Sequence, residues 1–142
     1  MWIIFEGLDK SGKGTLEWEI LKATNFKHII VDRGPVGYAV FDIVFGRDTT
    51  AGNMGFLKNI SLMKANSDDF MVVYCKVPVD IAMQRIKEHN ETCPYDYESV
   101  QKIYDYYIDA YYKERDIQVI EVDTTKPIKE CVDFIVDCIK LK

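Results

Sequence analysis

The chain alternates short apolar runs with longer amphipathic stretches. Trp2, Ile3, Ile4 and Phe5 form a continuous apolar run, the pattern of a strand buried on both faces of a parallel sheet. A glycine-punctuated stretch follows. From Lys13 to Ala23 apolar residues return at helical spacing, with Leu16, Ile20 and Ala23 on one stripe and Trp18 and Leu21 beside it. The pattern then predicts a strand over His28 to Val31, closed by Asp32, Arg33, Gly34 and Pro35. Next come a polar, glycine-bearing loop from Gly46 to Gly55 and a helix from Met54 to Ala65, with Phe56, Ile60, Leu62 and Met63 as its apolar members. Phe70 to Cys75 reads as a third strand, and Pro78 sits in the first turn of a helix running to His89 that carries Ile81, Ala82 and Ile86 inward.

Residues 95 to 114 hold seven of the nine tyrosines at helical spacing. Tyr104, Tyr107 and Tyr111, with Val100, Ile103 and Ile108, make a broad apolar face best explained by core packing, the alternative being a stacking surface for a base. A strand from Asp116 to Val122 and a helix ending near Leu141 complete the chain. This β-α alternation predicts one three-layer α/β/α domain. About four parallel strands should be joined by right-handed crossovers, with the later strands and the Asp32 strand flanking the first.

The stretch between the first strand and the first helix carries the chemistry. Gly7, Gly12 and Lys13 fit G-x-x-x-x-G-K, followed by Gly14 and Thr15. Glycines let the backbone curl until successive N–H groups point inward, and the helix that follows adds its positive N-terminal end. Gly7, Ser11, Gly12, Lys13, Gly14 and Thr15 are therefore candidates for holding a di- or triphosphate, with Lys13 as a mobile point charge on the outer phosphates. The hydroxyl residue that usually follows the lysine and binds Mg²⁺ is Gly14 here, which leaves Thr15 as the candidate metal ligand. Asp32, at the carboxyl end of a parallel strand, stands beside the loop and is a second candidate for Mg²⁺ or its water.

Bulk properties narrow the possibilities. The 142 residues are 48% hydrophobic, enough for one domain with a core and too few for two ordinary ones. Carboxylates outnumber Lys and Arg 23 to 18, a net charge of −5, which argues against a protein that grips nucleic acid backbones. Cys75, Cys93, Cys131 and Cys138 lack metal spacing, and no apolar stretch has membrane-spanning length, so the expectation is a reduced cytoplasmic protein that does not enter membranes. Cys131 and Cys138 should share a face of the last helix.

FEGLDKSGK, residues 5 to 13, resembles the opening of thymidylate kinases, and GKGT, residues 12 to 15, is similar to adenylate kinases. The parent group is the P-loop nucleoside and nucleotide kinases. The resemblance implies ATP and Mg²⁺ as cofactors. Asp9 would approach the sugar hydroxyl and reacting phosphates, and Lys10 would reach the transferring phosphoryl group. DRGPVGYAVFDIVFG, residues 32 to 46, resembles the Asp-Arg motif, in which Arg33 would clamp the acceptor phosphate; an alternative is a structural pair of Asp32 with Arg33. Where that family has an aromatic, a serine and a tyrosine, this chain has Gly34, Gly37 and Phe41. VYCKVPVDIAMQRI, residues 73 to 86, implies that Arg85 lies against the adenine, the alternative being a solvated helix charge. The lid that follows, about Lys87 to Tyr97, holds no arginine, leaving Lys10 as the catalytic cation. Thr124 and Thr125 would border the donor base.

Thymidylate kinases carry a further strand and helices before the Asp-Arg strand, and here only about a dozen residues fill that interval. The leading expectation is an ATP-dependent kinase acting on a deoxynucleoside monophosphate, with dTMP favoured, or on a deoxynucleoside. A nucleotide-binding module without acceptor chemistry is the alternative from another class. A kinase of polynucleotide ends is disfavoured by the acidic composition. The resemblance further implies a homodimer through the helices around residues 36 to 65.

Overall fold

The computed structural model describes residues 1–48, 50–65 and 69–142, without the side chains of Thr50 and Ala51. Four strands, β1 (Trp2–Glu6), β2 (Ile29–Val31), β3 (Phe70–Lys76) and β4 (Val119–Asp123), form one sheet in the order β2-β1-β3-β4. Every pairing is parallel, with Ile4 opposite Val31 on one side and Val72 on the other. The first strand is thus flanked by the Asp32 strand and by the later strands, as its double-sided apolar pattern requires.

Alternation along the strands splits the core into two layers. Ile3, Phe5, Met71, Val73, Cys75, Ile120 and Val122 face the helices α1 (Lys13–Ala23) and α6 (Ile128–Lys140), meeting Leu16, Ile20, Cys131 and Ile135. Ile4, Phe70, Val72 and Tyr74 face the other way, towards α2 (Pro35–Phe45), α3 (Thr50–Ala65), α4 (Val79–Glu88) and α5 (Tyr97–Tyr111). Cys131 and Cys138 both pack in the α1/α6 layer.

Several boundaries and faces differ from expectation. The last strand begins at Val119, because a 3₁₀ turn over Lys113–Arg115 ends at Asp116 in the left-handed conformation, and the chain must unwind before it pairs. Helix α3 begins at Thr50, so the expected loop shrinks to residues 46–48 with Thr49 outside the described residues. Leu57 and Ile60 are buried in α3 while Leu62 is exposed. Trp18 and Ala23 are likewise exposed on α1. On the tyrosine helix Tyr104 is buried as expected, but Tyr112 just beyond it is buried and Tyr111 is only partly so. No described helix is long and apolar enough to cross a membrane.

Candidate active site

The loop between β1 and α1 curls through three residues of positive φ, Gly7 at 150°, Lys10 at 62° and Gly12 at 84°. Gly12 is required twice over: its φ is left-handed, and a Cβ there would meet the Thr124 side chain at 3.0 to 3.2 Å. The Ser11 hydroxyl is buried inside the curl with no hydrogen-bond partner among the described residues. Lys13 opens α1, and its ammonium donates to the Asp32 carbonyl at 3.1 Å and lies 3.5 Å from the Asp32 carboxylate. The loop, Lys13 and Asp32 therefore meet at the carboxyl edge of the sheet.

Glu17, one turn after Lys13 on α1, joins this group. Its pKa is pushed up to about 8, first by burial and then by the hydrogen bond and charge of Asp32, with Lys13 opposing. Asp32 shifts downward, chiefly because Glu17 hydrogen-bonds to it. These opposite shifts favour a protonated Glu17 next to an ionised Asp32, beside a lysine. The spacing of Glu17 and Lys13 on one helix face was the available sequence signal.

Arg33 leaves the strand end in the other direction, its guanidinium 4.7 Å from the centre of the Phe41 ring. It lines a cleft of about 550 Å³ with Tyr38, Asp42, Arg47, Asn53 and Phe56, between α2 and α3. Within it Asp42, itself largely buried, accepts from the Asn53 amide at 3.0 Å and pairs with Arg47 at 3.5 Å.

On the far side of the loop the Arg85 guanidinium donates to the Lys10 carbonyl and to the Thr124 carbonyl, both at 2.9 Å. Thr124 in turn donates to the Ser11 carbonyl at 2.5 Å. Arg85 is accordingly no solvated helix charge: it ties α4 to the glycine loop and to the turn after β4. Around it lies a cleft of about 340 Å³ lined by Gly12, Thr15, Leu16, Thr124 and Ile128 among others. Thr15 faces this cleft, whereas Asp32 faces Lys13, so the two expected metal residues line different surfaces of the loop. Thr125 bonds locally, donating to the Asp123 carboxylate.

The segment after α4 braces the loop's tip. Lys10 pairs with Glu91 at 2.9 Å, the Tyr95 hydroxyl donates to the Asp9 carboxylate at 3.2 Å, and the Tyr97 hydroxyl donates to the Asp9 carbonyl at 3.1 Å. Tyr95 also packs against Phe41, Phe45 and Tyr97.

The most completely satisfied polar group in the site was missed by sequence reasoning. Glu6, the last residue of β1, is fully buried on the α2/α5 side. Its carboxylate accepts from the amides of Gly34, Val36 and Gly37, each at 3.1 Å, and from the hydroxyls of Tyr104 at 2.8 Å and Tyr112 at 2.7 Å. Burial raises its pKa, and the bonds from Tyr112, Tyr104, Gly37 and Gly34 oppose that rise. A carboxylate directly following an apolar parallel-strand run was the sequence signal, since such a position is core-facing or at the strand's functional end.

Magnesium fits the oxygen chemistry of Asp32 and of Thr15. Among the described residues no cluster of three or more His, Cys, Asp or Glu could hold a metal alone. A cation that keeps its waters and takes phosphate oxygens needs only one or two protein groups.

A four-stranded parallel sheet with helices on both faces, a glycine loop opening from β1 into α1 and an Asp-Arg pair directly after β2 make a three-layer α/β/α fold. No protein-family model matches the chain, and no curated protein matches it by sequence. Solved structures do. The deoxyadenosine kinase of M. mycoides with bound dCTP is similar over 100% of both chains, at 19% identity and a TM-score of 0.69. The YorR protein of Bacillus subtilis, in complex with phosphorylated GDP, is similar over 99% of this chain and 96% of its own, at 17% identity and a TM-score of 0.71. The shikimate kinase of Aquifex aeolicus is more distant, at 16% identity and a TM-score of 0.50.

Proposed function

We propose that the protein is a kinase that transfers the γ-phosphoryl group of ATP, with Mg²⁺, to a deoxynucleoside or a deoxynucleoside monophosphate. The observation that carries this reading is the meeting of Lys13, Asp32 and the glycine loop at one sheet edge, with Arg33 directly beyond. Phosphoryl transfer needs positioning and cations around the phosphate oxygens more than it needs a covalent catalyst.

In this reading the loop amides and Lys13 hold the donor phosphates, and the cleft beside Arg85, Thr15 and Thr124 receives the donor base. Arg33 and Lys10 bring positive charge to the transferring group. Lys10 can do so by exchanging Glu91 for phosphate. Asp32 holds the metal or its water; the bound Mg²⁺ would neutralise charge on the phosphates. The acceptor occupies the cleft between α2 and α3, where Arg33 faces its reacting end and Asp42, Arg47 and Asn53 face its polar edge. The likeness to a deoxyadenosine kinase supports a deoxynucleoside acceptor, and the FEGLD loop with Asp9 supports dTMP.

ADP release from ATP and Mg²⁺, measured against a panel of deoxynucleosides and their monophosphates, tests the proposal. One acceptor should stimulate release, and Lys13→Ala should abolish it. ATP binding without stimulated turnover would instead favour the nucleotide-binding module. That alternative draws on the edge position of β2, which leaves the acceptor side with no further strand in the sheet among the described residues.

A further inference from the structure

Glu6 holds the start of α2 from a different element. Three successive donors of the Asp-Arg turn, the amides of Gly34, Val36 and Gly37, converge on its carboxylate, where a helix N-terminus normally relies on its own cap. The Tyr104 hydroxyl donates to Glu6 and simultaneously accepts from the amide of Gly7, the first glycine of the phosphate loop, at 3.0 Å. The Arg33 stem lies against the same assembly. A Cβ on Gly37 would meet Arg33 Cγ at 2.7 Å, the Tyr104 hydroxyl at 2.8 Å and Glu6 Oε1 at 2.9 Å.

We infer that Glu6 is a positioning residue for Arg33, and that through Tyr104 it fixes the distance between the Arg33 turn and the phosphate loop. This rests on the phosphotransfer reading. Neither Glu6 nor the two tyrosines is among the described residues that line either cleft, so they act through Arg33 and Gly7 and not on a reacting atom. Burial and the Glu6 charge hold both tyrosines protonated, which keeps them donors. The arrangement also explains the departure from the thymidylate-kinase pattern: the aromatic and the serine expected at residues 34 and 37 would stand in the space that the carboxylate and the tyrosine hydroxyls fill.

Glutamine at residue 6 keeps the shape but turns an NH₂ group towards the donors of one carboxylate oxygen, either Gly34, Gly37 and Tyr104 or Val36, Gly37 and Tyr112, so Glu6→Gln should loosen the turn and leave the donor site intact. The experiment is a double-mutant cycle with Arg33→Ala, read as kcat and KM for the best acceptor and as the Kd for ADP. Glu6→Gln should lower kcat/KM for the acceptor by about 10- to 100-fold, since small misplacements of a positioned group cost on that order. The Kd for ADP should move by less than about 2-fold, and in the Arg33→Ala background Glu6→Gln should add less than about 2-fold. Full multiplication of the two losses, or equal weakening of ADP binding, overturns the inference. If Glu6→Gln does not fold, Tyr112→Phe, which removes one donor and leaves the carboxylate, takes its place in the same cycle. If the wild type turns over no acceptor, the phosphotransfer reading fails by itself. Amide hydrogen exchange then judges the anchoring: faster exchange at Gly34, Val36 and Gly37 in the variant upholds it, and unchanged exchange overturns it.

Discussion

The ammonium of Lys13 donates to the main-chain carbonyl of Asp32 at 3.1 Å, while the Asp32 carboxylate lies 3.5 Å away and is largely exposed. The lysine is therefore aimed across the sheet edge from α1 to β2, over the mouth of the glycine loop. A pair whose carboxylate is this exposed contributes about 0–1 kcal/mol to stability, although the Lys13 side chain itself is largely covered. Lys13→Ala should thus keep its unfolding midpoint within a few degrees of wild type, while acceptor-stimulated ADP release falls by at least about 10²-fold. Equal loss of stability and turnover would show that Lys13 is structural.

Arg85 predicts a different pattern. Its guanidinium bonds two carbonyls, those of Lys10 and Thr124, and so closes the wall of the cleft proposed to take the donor. Hydrogen bonds from a charged donor are each worth about 1.5–3 kcal/mol. Arg85→Ala should weaken ADP binding by about 10- to 100-fold, and Arg85→Lys should restore little, because a lysine cannot span two carbonyls with a planar fork. Calorimetric titration with ADP checks both; full recovery with lysine would mean that charge alone matters.

Glycines in the site should separate cleanly by substitution. A Cβ at Gly34 would collide with the Tyr112 hydroxyl, Ile4 Cγ2 at 2.5 Å and Glu6 Oε2 at 2.9 Å, whereas at Gly14 it would meet nothing within 4 Å. Gly34→Ala should destabilise by about 1–3 kcal/mol through overpacking. Gly14→Ala, in the first turn of α1, should stabilise by about 0.5–1 kcal/mol through helix propensity. Chemical denaturation of the two variants gives the comparison, and a neutral Gly34→Ala would mean that the Glu6 assembly yields readily.

Local pattern carried the fold further than it carried the site. The apolar runs of β1 and β3 and the glycine loop are contiguous signals, and they led directly to a four-stranded parallel sheet with helices on both faces. Arg33 and Arg85 stood out as candidates because one comes just after β2 and the other lies within α4, both in stretches with a recognisable local sequence. Glu6 was not, because its partners at 34, 36, 37, 104 and 112 are distant in sequence and mostly backbone amides, which leave no side-chain trace. Gly34 and Gly37, which depart from the family pattern, leave the room that the Glu6 carboxylate and the tyrosine hydroxyls occupy, a reason no local pattern reveals. Tyr112 went unselected because helical spacing favoured Tyr111, while the chain turns into a 3₁₀ segment there and rotates Tyr112 inward.

The upward shift of Glu17 and the downward shift of Asp32 give a pH-dependent stability with a definite sign. Glu17 Oε1 is buried without a hydrogen-bond donor, which disfavours a carboxylate more than a carboxylic acid, and the Glu17 pKa stands at about 8 against an ordinary 4.5. A carboxyl whose folded pKa lies above its unfolded one binds its proton more tightly when folded. Its contribution to stability is therefore complete below pH 4.5 and is lost as the pH climbs through about 8. Asp32, shifted downward, contributes oppositely: its share is present above its ordinary value of 3.8 and disappears only in acid, outside that window. Glu17→Gln mimics the protonated side chain and can still donate to Asp32. Without nucleotide or metal, the wild-type Tm should fall by a few degrees more than that of Glu17→Gln between about pH 6 and about pH 9, the remaining ionisable groups being common to both. Parallel Tm curves for the two proteins across that range would mean that folding does not raise the Glu17 pKa.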